Sequence, residues 1–279
     1  MNRMGMLRFV SALAVAAFAV AAGAQPVVYG NAAGSNTLFK YDATTGAVIK
    51  SCPMAKGNGR GIVVVGSTTY YTVADSNNVF KTDFATCADN GIAFSVAGVT
   101  GLSTIAFDGT NLWVGDYSGP NKAYLYTPTG TLLSTITLNN CTDHCDGLEF
   151  FNGKLISNDA DGGGNYSIYS LSGGAPTTAN FITTGTFTTG IAFDGTNFFI
   201  SGPTSSPRHI YKYSGTTGAL LQTLDLAGAE QIEDLSADYA IVIGPSGPTG
   251  VPTLSEWALI AMAMLLALSA LYFLRRRSR

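Results

Sequence analysis

The densest chemistry in this chain is a six-residue run, Cys141-Thr142-Asp143-His144-Cys145-Asp146. Two thiols, an imidazole and two carboxylates are the donor types that hold zinc. In an exported chain the same two cysteines oxidise instead, so Cys141 and Cys145 are read as a disulfide that staples one loop. Cys52 and Cys87 complete a set of four. Four cysteines allow three pairings, and spacing alone does not choose among them. A second run, Asp159-Ala160-Asp161-Gly162-Gly163-Gly164-Asn165, sets oxygen donors at alternate positions before glycines, as a calcium loop does. Ser170 stands where an EF-hand loop places its twelfth-position carboxylate. Asp159, Asp161 and Asn165 are thus a candidate Ca2+ site, set beside the plainer expectation of a glycine-rich loop and no cofactor. No Ser/His/Asp or paired-histidine arrangement can be assembled from spacing. The expectation is therefore a protein that binds rather than turns over its ligand. The alternative is a metal-dependent hydrolase or lyase of lactonase type.

Positioning such groups requires a frame, and the frame is written as a repeat. Gly190-Ile191-Ala192-Phe193-Asp194-Gly195-Thr196-Asn197 nearly duplicates Thr104-Ile105-Ala106-Phe107-Asp108-Gly109-Thr110-Asn111. Residues 147–153 and 61–66 are looser copies. Ile62, Ile105, Leu148 and Ile191 recur every 43 residues, and Leu235 follows after 44. Within the clearest unit, segments 191–193, 198–201, 210–213 and 219–224 alternate as strands do, and Asp194-Gly195-Thr196-Asn197 supplies a tight turn. Four antiparallel strands in that length make one propeller blade. The expected fold is all-β: a β-propeller of five blades of four antiparallel strands, with one C-terminal transmembrane helix. A first strand at 235–238 closes the ring against 27–30, and 240–243 is left over as a surplus segment. An open five-unit solenoid is the competing architecture.

In such a ring the loops between fourth and first strands share a face with those between second and third. That face collects 53–61, 74–78, 115–122, 139–147, 158–165 and 226–234, and with them the ligand-face candidates Asp116, Tyr117, Asp143, Asp146, Asp159, Asp161 and Glu233. Glu149 joins them because its innermost strand faces the channel, where sister blades carry Ala106 and Ala192. The Gly-Ile-Ala-Phe-Asp pattern, then an apolar strand and Ile-Tyr-Lys-Tyr, resembles the blades of NHL-type propellers, a fold-level likeness that carries no activity.

Between residues 25 and 250, nine Lys and Arg face seventeen Asp and Glu, a net charge of −8. A phosphate backbone is repelled by that balance, and nucleic acid is not an expected partner.

Both ends of the chain carry addresses. Arg3 and Arg8 precede an apolar core at 7–20, and Ala22-Gly23-Ala24 offers a cleavage site, so 1–24 is read as a signal peptide. Residues 25–243 are the propeller, and 244–250 form a Gly/Pro/Ser linker. Val251-Pro252-Thr253-Leu254-Ser255-Glu256-Trp257 then leads into an apolar run at 258–274 and Arg275-Arg276-Arg277. About 18 residues at ~1.5 Å rise span roughly 27 Å, enough for a hydrocarbon core. The arginines hold the C-terminus on the cytoplasmic side, with Trp257 at the opposite interface.

The motif, helix and arginine cluster at 251–279 resemble the IPTL-CTERM sorting signal, a variant of PEP-CTERM tails. Val251 stands where isoleucine is typical, and Ala258 where glycine often follows the tryptophan. The resemblance implies an exosortase-type membrane protease as partner. It implies an inner-membrane-anchored intermediate with a periplasmic ectodomain, then release to the cell surface or exterior. A polysaccharide or protein of the envelope or biofilm matrix is the implied ligand.

Overall fold

The computed structural model describes residues 26–239, except 118, 120, 142–143, 160–163, 203–207 and 227–230. The expected signal peptide, the surplus segment at 240–243, the linker, the sorting tail with its helix, Asp143 and Asp161 all lie outside the described residues. Among the described residues no helix is long and apolar enough to cross a membrane.

Strands β1 (Val27–Ala32), β2 (Thr37–Asp42) and β3 (Val48–Pro53) come first. Four sets of four follow. The first is β4 (Gly59–Val65), β5 (Thr68–Val73), β6 (Ser76–Asp83) and β7 (Ala88–Ser95); the second is β8 (Leu102–Phe107), β9 (Leu112–Asp116), β10 (Lys122–Tyr126) and β11 (Leu132–Thr137). The third is β12 (Cys145–Phe151), β13 (Lys154–Asp159), β14 (Asn165–Tyr169) and β15 (Thr178–Thr183), and the fourth is β16 (Ile191–Phe193), β17 (Asn197–Ser201), β18 (His209–Ser214) and β19 (Leu220–Asp225). The last strand, β20 (Ile232–Ser236), pairs with β1 and completes the first sheet in the order β20-β1-β2-β3. The protein is a five-bladed β-propeller of four-stranded antiparallel sheets.

Closure falls where the repeat puts it, with one shift. The expected strand at 235–238 begins earlier, at Ile232, and leaves the sheet after Ser236. Gly30 faces Leu235 and Asn31 faces Asp234, but Ala32 faces Ile232, so Glu233 is an inserted residue. Because β1 is held between β20 and β2, the first strand of the chain keeps its place in the ring.

Hydrophobic packing sits between the blades rather than inside any one of them. Five clusters fill the five gaps. The repeat residues Ile62, Ile105, Leu148, Ile191 and Leu235 are each buried in one of them. Burying such a side chain is worth about 1.5–3 kcal/mol. A blade covers only one face per neighbour, so no blade completes its core until the ring closes.

The gaps share a second joint at their outer edge. The turn between third and fourth strands carries Gly46, Cys87, Gly130, Gly173 or Gly218, all with positive φ. At the four glycines an added Cβ would fall 2.0–2.6 Å from Asp225, Phe94, Thr137 or Phe181, on the outer strand of the preceding blade. At the fifth joint Cys87 takes the glycine's place and is disulfide-bonded to Cys52 of β3. Cys52 lies near the end of β3 and Cys87 in a turn between third and fourth strands, so blade register alone puts them at opposite ends of their blades. Sheet twist swings each outer strand across to the next blade's turn and removes that separation.

Candidate functional site

The innermost strand of each blade has a neighbour on one side only, so its other edge presents unpaired backbone groups to the central channel. Two different solutions occupy the two ends of that channel.

At the end reached by the loops between fourth and first strands, every innermost strand is bulged. Three steps on β4, from Gly59 to Ile62, match two on β5, and the same irregularity falls between Leu102 and Ile105 and between Cys145 and Leu148. In the fourth set Thr189 N–H and Gly190 C=O both bond the Ser201 backbone. Small polar side chains on neighbouring second strands satisfy the bulged backbone. Gly61 N–H donates to Thr72 Oγ1 at 2.7 Å, Asn31 Nδ2 donates to Gly61 C=O at 3.1 Å, and Gly147 N–H donates to Asn158 Oδ1 at 2.6 Å. A bulge re-aims the side chain it inserts. The residues two before the repeat hydrophobe are Arg60, Ser103, Asp146, Thr189 and Glu233, and three of them are charged.

These three meet at the channel mouth. Arg60 Nη1 lies 2.9 Å from Glu233 Oε2, with the arginine side chain 20% exposed and the glutamate 4%. Gln231 Nε2 donates to the other carboxylate oxygen at 2.7 Å. Arg60 Nη2 donates to the Tyr117 hydroxyl at 3.4 Å, and the guanidinium stands 5.0 Å from the Tyr117 ring centroid. The His144 ring packs on Tyr117 with centroids 4.5 Å apart. Asp146 is 7% exposed, yet no hydrogen-bond donor among the described residues reaches its carboxylate. Burial pushes its pKa up, and His144 and Arg60 nearby pull it down. Burial also pushes Glu233 up, Arg60 pulls it down, and the proximity of Asp146 pushes it up again.

The deeper channel is filled and satisfied. Asp234 is 1% exposed and accepts from Leu235 N–H at 2.9 Å, Ile191 N–H at 3.1 Å and Ile62 N–H at 3.2 Å. It thereby ties the first, second and fifth blades together. Glu149, 2% exposed, accepts from Phe150 N–H at 2.7 Å and Phe193 N–H at 3.1 Å, and hydrogen-bonds the Tyr239 hydroxyl. Burial lifts its pKa to about 8, against the lowering effect of Tyr239, Phe150 and Phe193. Ser236 Oγ accepts from Val64 N–H at 2.9 Å. These side chains stand in for a missing neighbour strand.

The sequence-derived candidates divide accordingly. Tyr117, Asp146 and Glu233 converge on the mouth. Glu149 lies deeper, toward the end closed by Tyr239, and is part of the plug. Asp116 ends β9 at the mouth face, buried, with the Tyr124 hydroxyl 3.5 Å from Oδ2. Cys141 and Cys145 are joined by a disulfide, which removes both thiolates from any metal site and brackets His144. Asp159 and Asn165 flank the expected calcium loop and line a polar cavity of about 130 Å³ with Asn140, Ser157, Ser167, Tyr169 and Asn180. Among the described residues no group of three or more His, Cys, Asp or Glu is placed to hold a metal ion. Arg60 and Gln231 are not among the ligand residues read from the sequence, and His144 enters there only as a zinc donor. The signal for Arg60 was present: in the aligned repeat it shares a column with Asp146 and Glu233.

Both described ends of the chain lie at the other end of the ring. Pro26 leads into the end of β1 that faces Ser236, and Tyr239 follows β20 beyond that same end.

No curated protein matches this sequence. A chain in the crystal structure of a nidogen/laminin complex is similar in fold, with TM-score 0.53 and 9% identity, covering 77% of this chain and 98% of that one. The crystal structure of Myxococcus xanthus glutaminyl cyclase gives TM-score 0.49 and 14% identity over 61% of this chain and 71% of that one. At such identities the first likeness shows the fold alone, and the second carries no argument. Residues 249–277 match the IPTL-CTERM motif, so the chain is a five-bladed β-propeller that carries an IPTL-CTERM motif near its C-terminus.

Proposed function

We propose that this chain is an exported propeller that binds a polysaccharide or protein of the cell envelope or matrix through the mouth of its central channel. Its tail is then the sorting address, read by an exosortase-type membrane protease. One observation carries the reading: bulges aim Arg60, Asp146 and Glu233 at the face opposite the one where the described chain begins and ends. With the tail in the inner membrane, the domain is tethered from the face opposite the mouth, which leaves the mouth to whatever the exported domain meets. Binding without turnover suits the mouth, because its arginine is already paired with one carboxylate.

Two measurements test this. Intact mass of the product from a Gram-negative host that carries a matching protease is expected to end near residue 251; a mass running through Arg279 overturns the sorting reading. Capture of envelope material by the exported domain is expected to be lost in Arg60→Ala and kept in Lys154→Ala, a change at the exposed first residue of β13, at the other end. Capture unchanged in Arg60→Ala overturns the mouth as the binding site.

A further inference from the structure

The mouth holds one acceptor without a donor beside a cation with donors to spare. Asp146 is more than nine-tenths buried and unmet by any donor among the described residues. Arg60 has five N–H groups, of which one meets Glu233 and one meets Tyr117. Its Nε is buried without a partner, and the 20% of its side chain that remains exposed opens on the mouth. The aromatic pair Tyr117 and His144 walls the same space.

The charges discriminate among ligand classes. An ammonium group could donate to Asp146 but carries no acceptor for the spare N–H groups of Arg60. A carboxylate or sulfate would suit Arg60 but be repelled by Asp146 and Glu233, both carboxylates in a site with little water to screen them. A hydroxyl donates and accepts, as a neutral amide also does, and so satisfies both without a net charge. Two hydroxyls on adjacent carbons do so with each group in its own place, and the C–H face behind them packs on an aromatic ring.

We propose that the mouth recognises a neutral sugar through a pair of adjacent hydroxyls, one donating to Asp146 and the other accepting from Arg60, with the sugar's C–H face against Tyr117 and His144. This rests on the reading of the mouth as the binding site and narrows its ligand from polysaccharide or protein to a neutral glycan.

The test is calorimetric titration of the full chain, in a detergent without a sugar headgroup. The probes are oligomers of glucose, galactose, mannose and N-acetylglucosamine, with oligoglucosamine, oligogalacturonate and a lysine-rich peptide alongside. At least one neutral oligomer is expected to bind, with affinity changing less than about twofold between 50 and 500 mM salt, since no net charge is there to be screened. Asp146→Asn, which keeps the shape but halves the acceptor capacity, is expected to weaken it about tenfold or more. Monodeoxy versions of the bound sugar are expected to lose a similar factor at two adjacent positions, a readout that does not depend on how a variant folds. Tighter, salt-sensitive binding of oligoglucosamine, oligogalacturonate or the peptide that Arg60→Ala abolishes would overturn the neutral-sugar assignment and keep the mouth. Neutral-glycan binding unchanged in both Asp146→Asn and Arg60→Ala would overturn the mouth itself. Absence of binding by every neutral oligomer would overturn the sugar assignment.

Discussion

The two ends of the central channel use the same residue types for opposite purposes. At the base, Asp234 and Glu149 accept backbone N–H groups from three blades and from two blades respectively, and Tyr239 closes the space beneath Glu149. At the mouth, Glu233 is shared by Arg60 and Gln231 while Asp146 has no donor among the described residues. A buried carboxylate is tolerated when it replaces a missing strand partner. Left unmet, it costs stability and signals a place reserved for something else.

The hardest test of this contrast is Asp234→Ala. It strands three buried N–H groups, so a loss of about 3–6 kcal/mol is expected, and a fall in Tm on the order of 10 °C. Thermal unfolding followed by circular dichroism measures it; a loss under about 1 kcal/mol would mean the base is not held as described.

Next in size is a pH effect from Glu149. Its carboxyl has an ordinary pKa of 4.5 and a folded value of about 8, so the folded chain keeps the proton that the unfolded chain gives up. The resulting stability is fully present below pH 4.5 and is lost as pH rises through about 8. The decline should be on the order of 3 kcal/mol. In Glu149→Gln, which cannot ionise, denaturant unfolding at pH 5 and pH 8.5 should give a much smaller difference. An equal slope in the variant would assign the pH dependence to other groups.

The mouth should respond in the other direction. Asp146→Asn removes a buried carboxylate that no described donor meets, so unchanged stability or a gain of up to about 2 kcal/mol is expected, alongside the loss of ligand. A destabilised Asp146→Asn would make the mouth a structural element like the base. Smallest of all, Lys154→Ala should stay within about 0.5 kcal/mol of the parent and keep full binding.

Much of the frame was legible in the sequence, and for a definite reason. A 43-residue period places one buried hydrophobe per innermost strand, and a repeat with a leftover first strand at the end has to close on the leftover second strand at the start. The pattern also marked Glu149 as exceptional, because alanines stand at its sister positions. It could not say whether that carboxylate faced water or a set of N–H donors, since those donors come from Phe193 in the next blade and Tyr239 beyond the closing strand.

What the chain determined by itself is therefore periodic or local: the all-β class, the five units, the order of closure and the tail motif at 249–277. Each depends on spacing along the sequence, which a linear reading preserves. Only the tertiary structure decided the Cys52–Cys87 bond, the Arg60–Glu233 pair and the division of the acids between plug and mouth. Those depend on bulges that re-aim single side chains and on sheet twist that carries an outer strand onto the next blade's turn. Ring closure then brings residues 60 and 233 within hydrogen-bond reach across most of the chain, and no spacing rule records that distance.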